Sequence, residues 1–158
     1  MAEQEYRAAL QLDANNAELL VALGYVLNEQ NEWDEAIPVN RQALRLQPNS
    51  AVAHINLGNG LKVKGDRDGA LAAFRDALRL KPDYPIVHFN LGNEFRKKQD
   101  WESAIAECRK TLSLQPDYFN AHYNLGVRLE AKGDREAALE EYRIASELDP
   151  KNTGFRGQ

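Results

Sequence analysis

The chain has 158 residues, 43% of them hydrophobic, enough for a single domain that buries roughly 70% of the surface its unfolded form exposes. Its 24 Asp and Glu outnumber 20 Lys and Arg, a formal net charge of -4 that argues against a function built on nucleic-acid phosphates, and no apolar run approaches the ~18 residues of a membrane span. The single cysteine, Cys108, closes no intrachain disulfide, so a reducing, cytoplasmic compartment is expected.

In chain order, Ala2, Tyr6, Ala9 and Leu12 fall on one helical face and predict a helix within residues 1–16. From residue 17 the chain repeats with a step of 34, kept by Gly24, Gly58, Gly92 and Gly126 and by Pro48, Pro82, Pro116 and Pro150. Leu23, Leu57, Leu91 and Leu125 keep it too, as do Ala36, Ala70, Ala104 and Ala138. The units so defined are 17–50, 51–84, 85–118 and 119–152, followed by a tail at 153–158. Each unit predicts two amphipathic helices: in the second, Ala53, Leu57 and Leu61 mark one, and Ala70, Leu71, Phe74, Ala77 and Leu78 the other. Gly65-Asp66 separates them, the Gly suited to a left-handed C-terminal position and the Asp to capping the next helix. Gly133-Asp134 and Gln99-Asp100 stand at the same place in the fourth and third units. The first unit departs most: Glu32 replaces the capping Asp, Asn40 stands where Phe74 and Tyr142 do, and Pro38 inside the second helix predicts a kink or a frayed first turn. All-α hairpins, about nine antiparallel helices in total, are the expected class.

The repeated Gly weakens each first helix by roughly 0.5 to 1 kcal/mol relative to Ala, so it is expected to admit close approach of the second helix, with the Ala36 column as counterpart. His54, His88 and His122 also keep the step. One metal ion cannot collect them, because successive equivalent helices lie about 8 to 10 Å apart whereas each ligand nitrogen must lie about 2 Å from zinc. They are expected to pack against the preceding unit, as Trp33 and Trp101 are expected to cover the hairpin turns and Cys108 to be buried and inert. No metal, cofactor or catalytic constellation is expected.

The 34-residue period, the Leu-Gly pair of each first helix, the Ala near the start of each second, the large residue at Phe74 or Tyr142, the small residue at Ala43, Ala77 and Ala145 and the closing Pro together resemble the tetratricopeptide repeat (TPR). The resemblance spans residues 17–152, and residues 1–16 fit the second helix of a preceding unit. It implies a right-handed superhelical solenoid whose first helices line a concave groove, and hence a protein–protein interaction module rather than an enzyme.

Groove positions carry letters that packing does not require. One column reads Ala22, Asn56, Asn90, Asn124 and another Tyr25, Asn59, Asn93, Val127, although Asn is a mediocre helix former. An Asn amide offers a donor and an acceptor, as an extended peptide demands, and the ladder resembles the asparagine rows with which the TPR superhelix of O-linked N-acetylglucosamine transferase grips peptide main chain. Bridging between neighbouring helices is the competing use. An apolar column, Val21, Ile55, Phe89 and Tyr123, runs beside it, with Lys62, Arg96 and Lys97 beyond. The candidate peptide-binding residues are therefore Ile55, Asn56, Asn59, Lys62, Phe89, Asn90, Asn93, Arg96, Lys97, Tyr123 and Asn124. The basic positions of the carboxylate clamp found in co-chaperone TPR domains hold Val21, Ile55, Ile86, Asn90 and Asn124, so the clamp is absent. The expected guest is an extended protein segment with apolar and acidic side chains. Ala138, Leu139, Tyr142 and Leu148 are expected to have an uncovered side, which fits a segment of a longer array, self-association through the ends, or the recognition arm of a larger enzyme such as a glycosyltransferase.

Overall fold

The computed structural model describes residues 2–149; the closing Pro150 and the 153–158 tail lie outside them. Among the described residues there are nine α-helices and no strand. They are α1 (Ala2–Leu12), α2 (Ala17–Glu29), α3 (Trp33–Leu46), α4 (Ala51–Val63), α5 (Arg67–Leu80), α6 (Pro85–Lys97), α7 (Trp101–Leu114), α8 (Phe119–Ala131) and α9 (Arg135–Leu148). The chain divides into two compact units, residues 1–82 and 83–158. In the first, each helix packs on the next and α2 also meets α4; in the second, α6 to α9 pack in sequence. No described helix is long and apolar enough to cross a membrane.

Local chemistry sets the helix ends. Asn16, Ser50, Asp66, Asp100 and Asp134 each accept the backbone N–H three residues on, the N-cap arrangement that contributes about 1 kcal/mol. Glu32 makes no such bond. All four hairpin turns close alike, with Glu32, Asp66, Asp100 and Asp134 donating N–H to Leu27, Leu61, Phe95 and Leu129 at 2.9 to 3.0 Å. The residue before each donor is left-handed: Asn31 at φ 63°, Gly65 at 83°, Gln99 at 60° and Gly133 at 88°.

α3 runs unbroken through Pro38 and starts in the register of α5, α7 and α9, so its first turn is not frayed. Pro38 and Asp34, whose carbonyl loses its helical donor, are both exposed, and water can take the place of the missing N–H.

In residues 1–82 the core gathers Leu20, Leu23, Leu27, Ala36, Ala43 and Ala53, with Tyr6 and Leu10 of α1 packed against it. α1 buries none of its own residues, and Arg7 ties it down by a fork to Glu35 at 2.6 and 2.8 Å. In residues 83–158, Ile105, Cys108, Leu125, Leu129 and Ala138 form the core. The Gly column does admit close approach, but the group over it is not the expected alanine. A Cβ on Gly58 would lie 2.6 Å from the Phe74 ring and one on Gly126 2.6 Å from Tyr142, while at Gly24 it would meet the Asn40 amide at 2.4 Å. At Gly92, where Cys108 stands in place of a ring, a Cβ would meet the Glu107 Cβ at 3.2 Å and the Ala104 backbone oxygen at 3.3 Å.

On α9, Leu139 is 68% exposed although its equivalent Ile105 is 7% exposed, and Leu148 is exposed as well. Tyr142 is half-buried, and Ala138, expected to be uncovered, is buried because it faces α8 within its own hairpin.

Candidate functional site

The first helices carry the candidate residues, and the two units use them differently. In residues 1–82, Asn56 is buried, its Nδ2 faces the Val21 carbonyl at 3.5 Å, and its own carbonyl accepts from Asn28 Nδ2 at 2.8 Å. Here the amides bridge α2 and α4. Ile55, Asn59 and Lys62 are half-buried along α4, and Tyr25 is 53% exposed on α2.

In residues 83–158, Asn93 of α6 receives two bonds on one oxygen, from Asn124 Nδ2 at 3.3 Å and from Arg128 Nη2 at 2.8 Å, both on α8. Both asparagines are half-buried. Asn90 is buried on α6, Phe89 lies against the Tyr118 ring at 5.0 Å between centroids, and Tyr123 lies 5.7 Å from Tyr142. The Tyr142 hydroxyl donates to Glu130 at 2.9 Å. Arg96 and Lys97 are exposed, and Lys97 holds the wholly buried Glu94 carboxylate at 2.8 Å. Phe89, Tyr123 and the amides thus share one strip of α6 and α8.

Two side chains of this strip escape a search for repetition. Glu94 and Arg128 occupy the tenth place of their units, where the earlier units have Val26 and Gly60, and both are fully buried. A charge in a column that is otherwise apolar or small was the available signal.

The histidines serve the hairpins. His88 Nδ1 contacts Glu107 and His122 Nδ1 contacts Glu141, each at 2.6 Å, joining first helix to second. His54 and His122 reach back through Nε2 to the carbonyls of Pro48 and Pro116 at 3.0 and 2.9 Å. The ring therefore fixes its position by polar contacts as well as by packing. Among the described residues no group of three or more His, Cys, Asp and Glu could hold a metal ion. Burial pushes the Cys108 thiol up to about 11, against an opposing pull from Arg128.

Models of the TPR repeat match residues 24–65, 61–93 and 92–133, and a tetratricopeptide repeat model matches 119–152. The chain belongs to the tetratricopeptide repeat family. No curated protein matches the sequence. Among solved structures, this TPR chain is similar to a crystal structure of MamA with 27% identity over 94% of this chain and 87% of the other, at a TM-score of 0.88. A second MamA crystal structure matches at 26% identity over 99% and 85%, with a TM-score of 0.85. MamA from Desulfovibrio magneticus RS-1, 22% identical over 96% and 85% with a TM-score of 0.86, shares the fold. These likenesses support a protein-interaction scaffold as the general role of this TPR chain.

Proposed function

We propose that the protein is an adaptor that holds an extended peptide segment along its first helices, with asparagine amides meeting the peptide main chain and Phe89 and Tyr123 walling its apolar side chains. The carrying observation is the Asn93–Asn124 pair. Asn93 uses its oxygen and Asn124 its nitrogen, which leaves the Asn93 Nδ2 donor and the Asn124 Oδ1 acceptor without a bond among the described residues. One donor and one acceptor side by side on a half-buried strip match the C=O and N–H of a single peptide unit. In residues 1–82 Asn56 is buried with its Nδ2 directed at the Val21 carbonyl, whereas Asn93 and Asn124 are half-buried, so this reading weighs α6 and α8 above α4.

A peptide without Asp or Glu, selected from a display library and measured by calorimetry, tests the reading. Asn124→Ala and Asn93→Asp should each weaken it, the first by about 1 kcal/mol, one hydrogen bond, with circular dichroism unchanged. Asn93→Asp keeps the oxygen that Asn124 and Arg128 use, removes the donor and adds a negative charge beside Arg128, so Asn124→Ala carries the one-bond magnitude. Unaltered affinity in both variants assigns the pair to helix bridging alone.

The exposed Leu139 on α9 and the lightly held α1 favour a second reading, association of copies through their outer helices. Static light scattering that returns a monomer from micromolar to near-millimolar concentration would refute it.

A further inference from the structure

Arg128 is an arginine with no exposed surface, on α8 between the core residues Leu125 and Leu129. Its guanidinium stays charged, and a charge removed from water requires partners. Its single bond goes to a neutral group, Asn93 Oδ1, while Nε and Nη1 are buried without any partner. Among the described residues no carboxylate pairs with it; Glu94, the acid at the same place of the preceding repeat, is held by Lys97 through Oε1, and its buried Oε2 does not reach Arg128. Arg96 adds a like charge nearby, and burial together with Arg96 pulls the Arg128 pKa down, against Cys108.

The unfilled donors form a recognisable shape. Of the five guanidinium N–H groups Asn93 takes one, on Nη2. The other Nη2 hydrogen then shares an edge with either Nε or Nη1, so one complete two-donor edge is free. A planar carboxylate fills such an edge with two parallel bonds.

We propose that Arg128, closed off from solvent in this structure, becomes the floor of a carboxylate-binding site when α6 and α8 part to admit an acidic side chain of the bound peptide. The source of the carboxylate rests on the peptide reading above; the site itself does not. Asn124 Oδ1 at the strip favours a peptide over phosphate, since that oxygen welcomes a main-chain N–H but repels a fully oxygenated anion. Glu or Asp in the partner thus places its carboxylate on Arg128 while the neighbouring peptide unit meets Asn93 and Asn124.

The test uses the full chain labelled with 15N and follows the Arg128 Nε–Hε resonance, assigned by its loss in Arg128→Met. The probe is N-acetyl-glutamate α-amide, with N-acetyl-glutamine α-amide as neutral twin and chloride at matched ionic strength as control. The glutamate probe should displace the resonance saturably in the millimolar range, and neither control should. Raised thermal stability with the probe should appear in the wild type and fall away in Arg128→Met. In Arg128→Lys, a point charge without the edge, affinity should drop at least about tenfold, the equivalent of one charge-assisted bond; this variant carries the test should Arg128→Met not fold. A resonance unmoved by the glutamate probe, or moved equally by chloride, overturns the site and leaves internal water as the partner of the buried donors. Inorganic phosphate acting at lower concentration than glutamate overturns the carboxylate assignment. Because the peptide test above uses a guest without acidic residues, it succeeds or fails separately from this one.

Discussion

Replacing Gln99 by glycine should stabilise residues 83–158. Gln99 holds φ at 60° in a turn whose equivalents are Gly65 and Gly133, and an L-residue there is strained by roughly 1 to 2 kcal/mol. Glycine removes that strain but adds about 0.5 to 1 kcal/mol of unfolded-chain freedom, which leaves a net gain of about 0.5 to 1 kcal/mol. Nothing is lost with the side chain, since Gln99 is exposed and its hydrogen bond among the described residues, to the Arg96 carbonyl at 2.9 Å, uses its backbone N–H. The reciprocal change, Gly133→Ala, should destabilise by about 1 kcal/mol through the backbone alone, because an added Cβ would meet nothing within 4 Å. Asn31→Gly should gain less than Gln99→Gly, as Asn tolerates this conformation. Urea unfolding followed by Trp101 fluorescence, in a Trp33→Phe background, reads the second unit by itself. A Gln99→Gly variant no more stable than its parent, or a Gly133→Ala variant within about 0.3 kcal/mol of it, refutes the strain argument.

Other substitutions probe the packing and the buried groups. Gly126→Ala should destabilise by about 1 to 3 kcal/mol in urea unfolding because its Cβ would lie 2.6 Å from the Tyr142 ring, and Tyr142→Ala in the same chain should relieve the clash and make the two changes non-additive. Glu141→Ala should weaken the fourth hairpin by about 1 to 3 kcal/mol, as it strips the acceptor from the buried His122 Nδ1, and an unchanged urea midpoint would show the contact to be dispensable. At pH 8 a thiol at about 11 should be labelled by iodoacetamide about a hundredfold more slowly than one at the ordinary 9.0, before shielding is counted. Since folding raises this pKa, stability from Cys108 should be lost as pH climbs from 9 through 11, and a Cys108→Ala chain should lack that component of the alkaline decline.

The helices were legible because their determinants are local: caps and left-handed turn residues recur at a fixed step, and α2, α4, α6 and α8 begin at Ala17, Ala51, Pro85 and Phe119. What lies over each glycine was less so. Counting columns pairs Gly58 with Ala70, but side chains lean toward the N-terminus of their helix, and so the ring of Phe74, one turn further on, covers it. Pro38 leaves α3 unbroken, and the carbonyl it frees belongs to the exposed Asp34. The asparagine rows put amides on α4, α6 and α8, yet sequence could not separate the buried Asn56 from the half-buried Asn93 and Asn124, because that difference is set by how closely neighbouring helices pack. Arg128 escaped notice since a search for period rewards sameness, and this residue is informative through its departure from Val26 and Gly60.

That each helix leans on its immediate successor within its own unit also governs how the chain would answer to pulling. Tension applied along the backbone loads one interhelical contact at a time, so the weakest hairpin yields before its neighbours feel the load. Each 34-residue unit then releases about 110 to 120 Å of chain, and an optical trap would record a staircase of near-equal steps instead of a single rip.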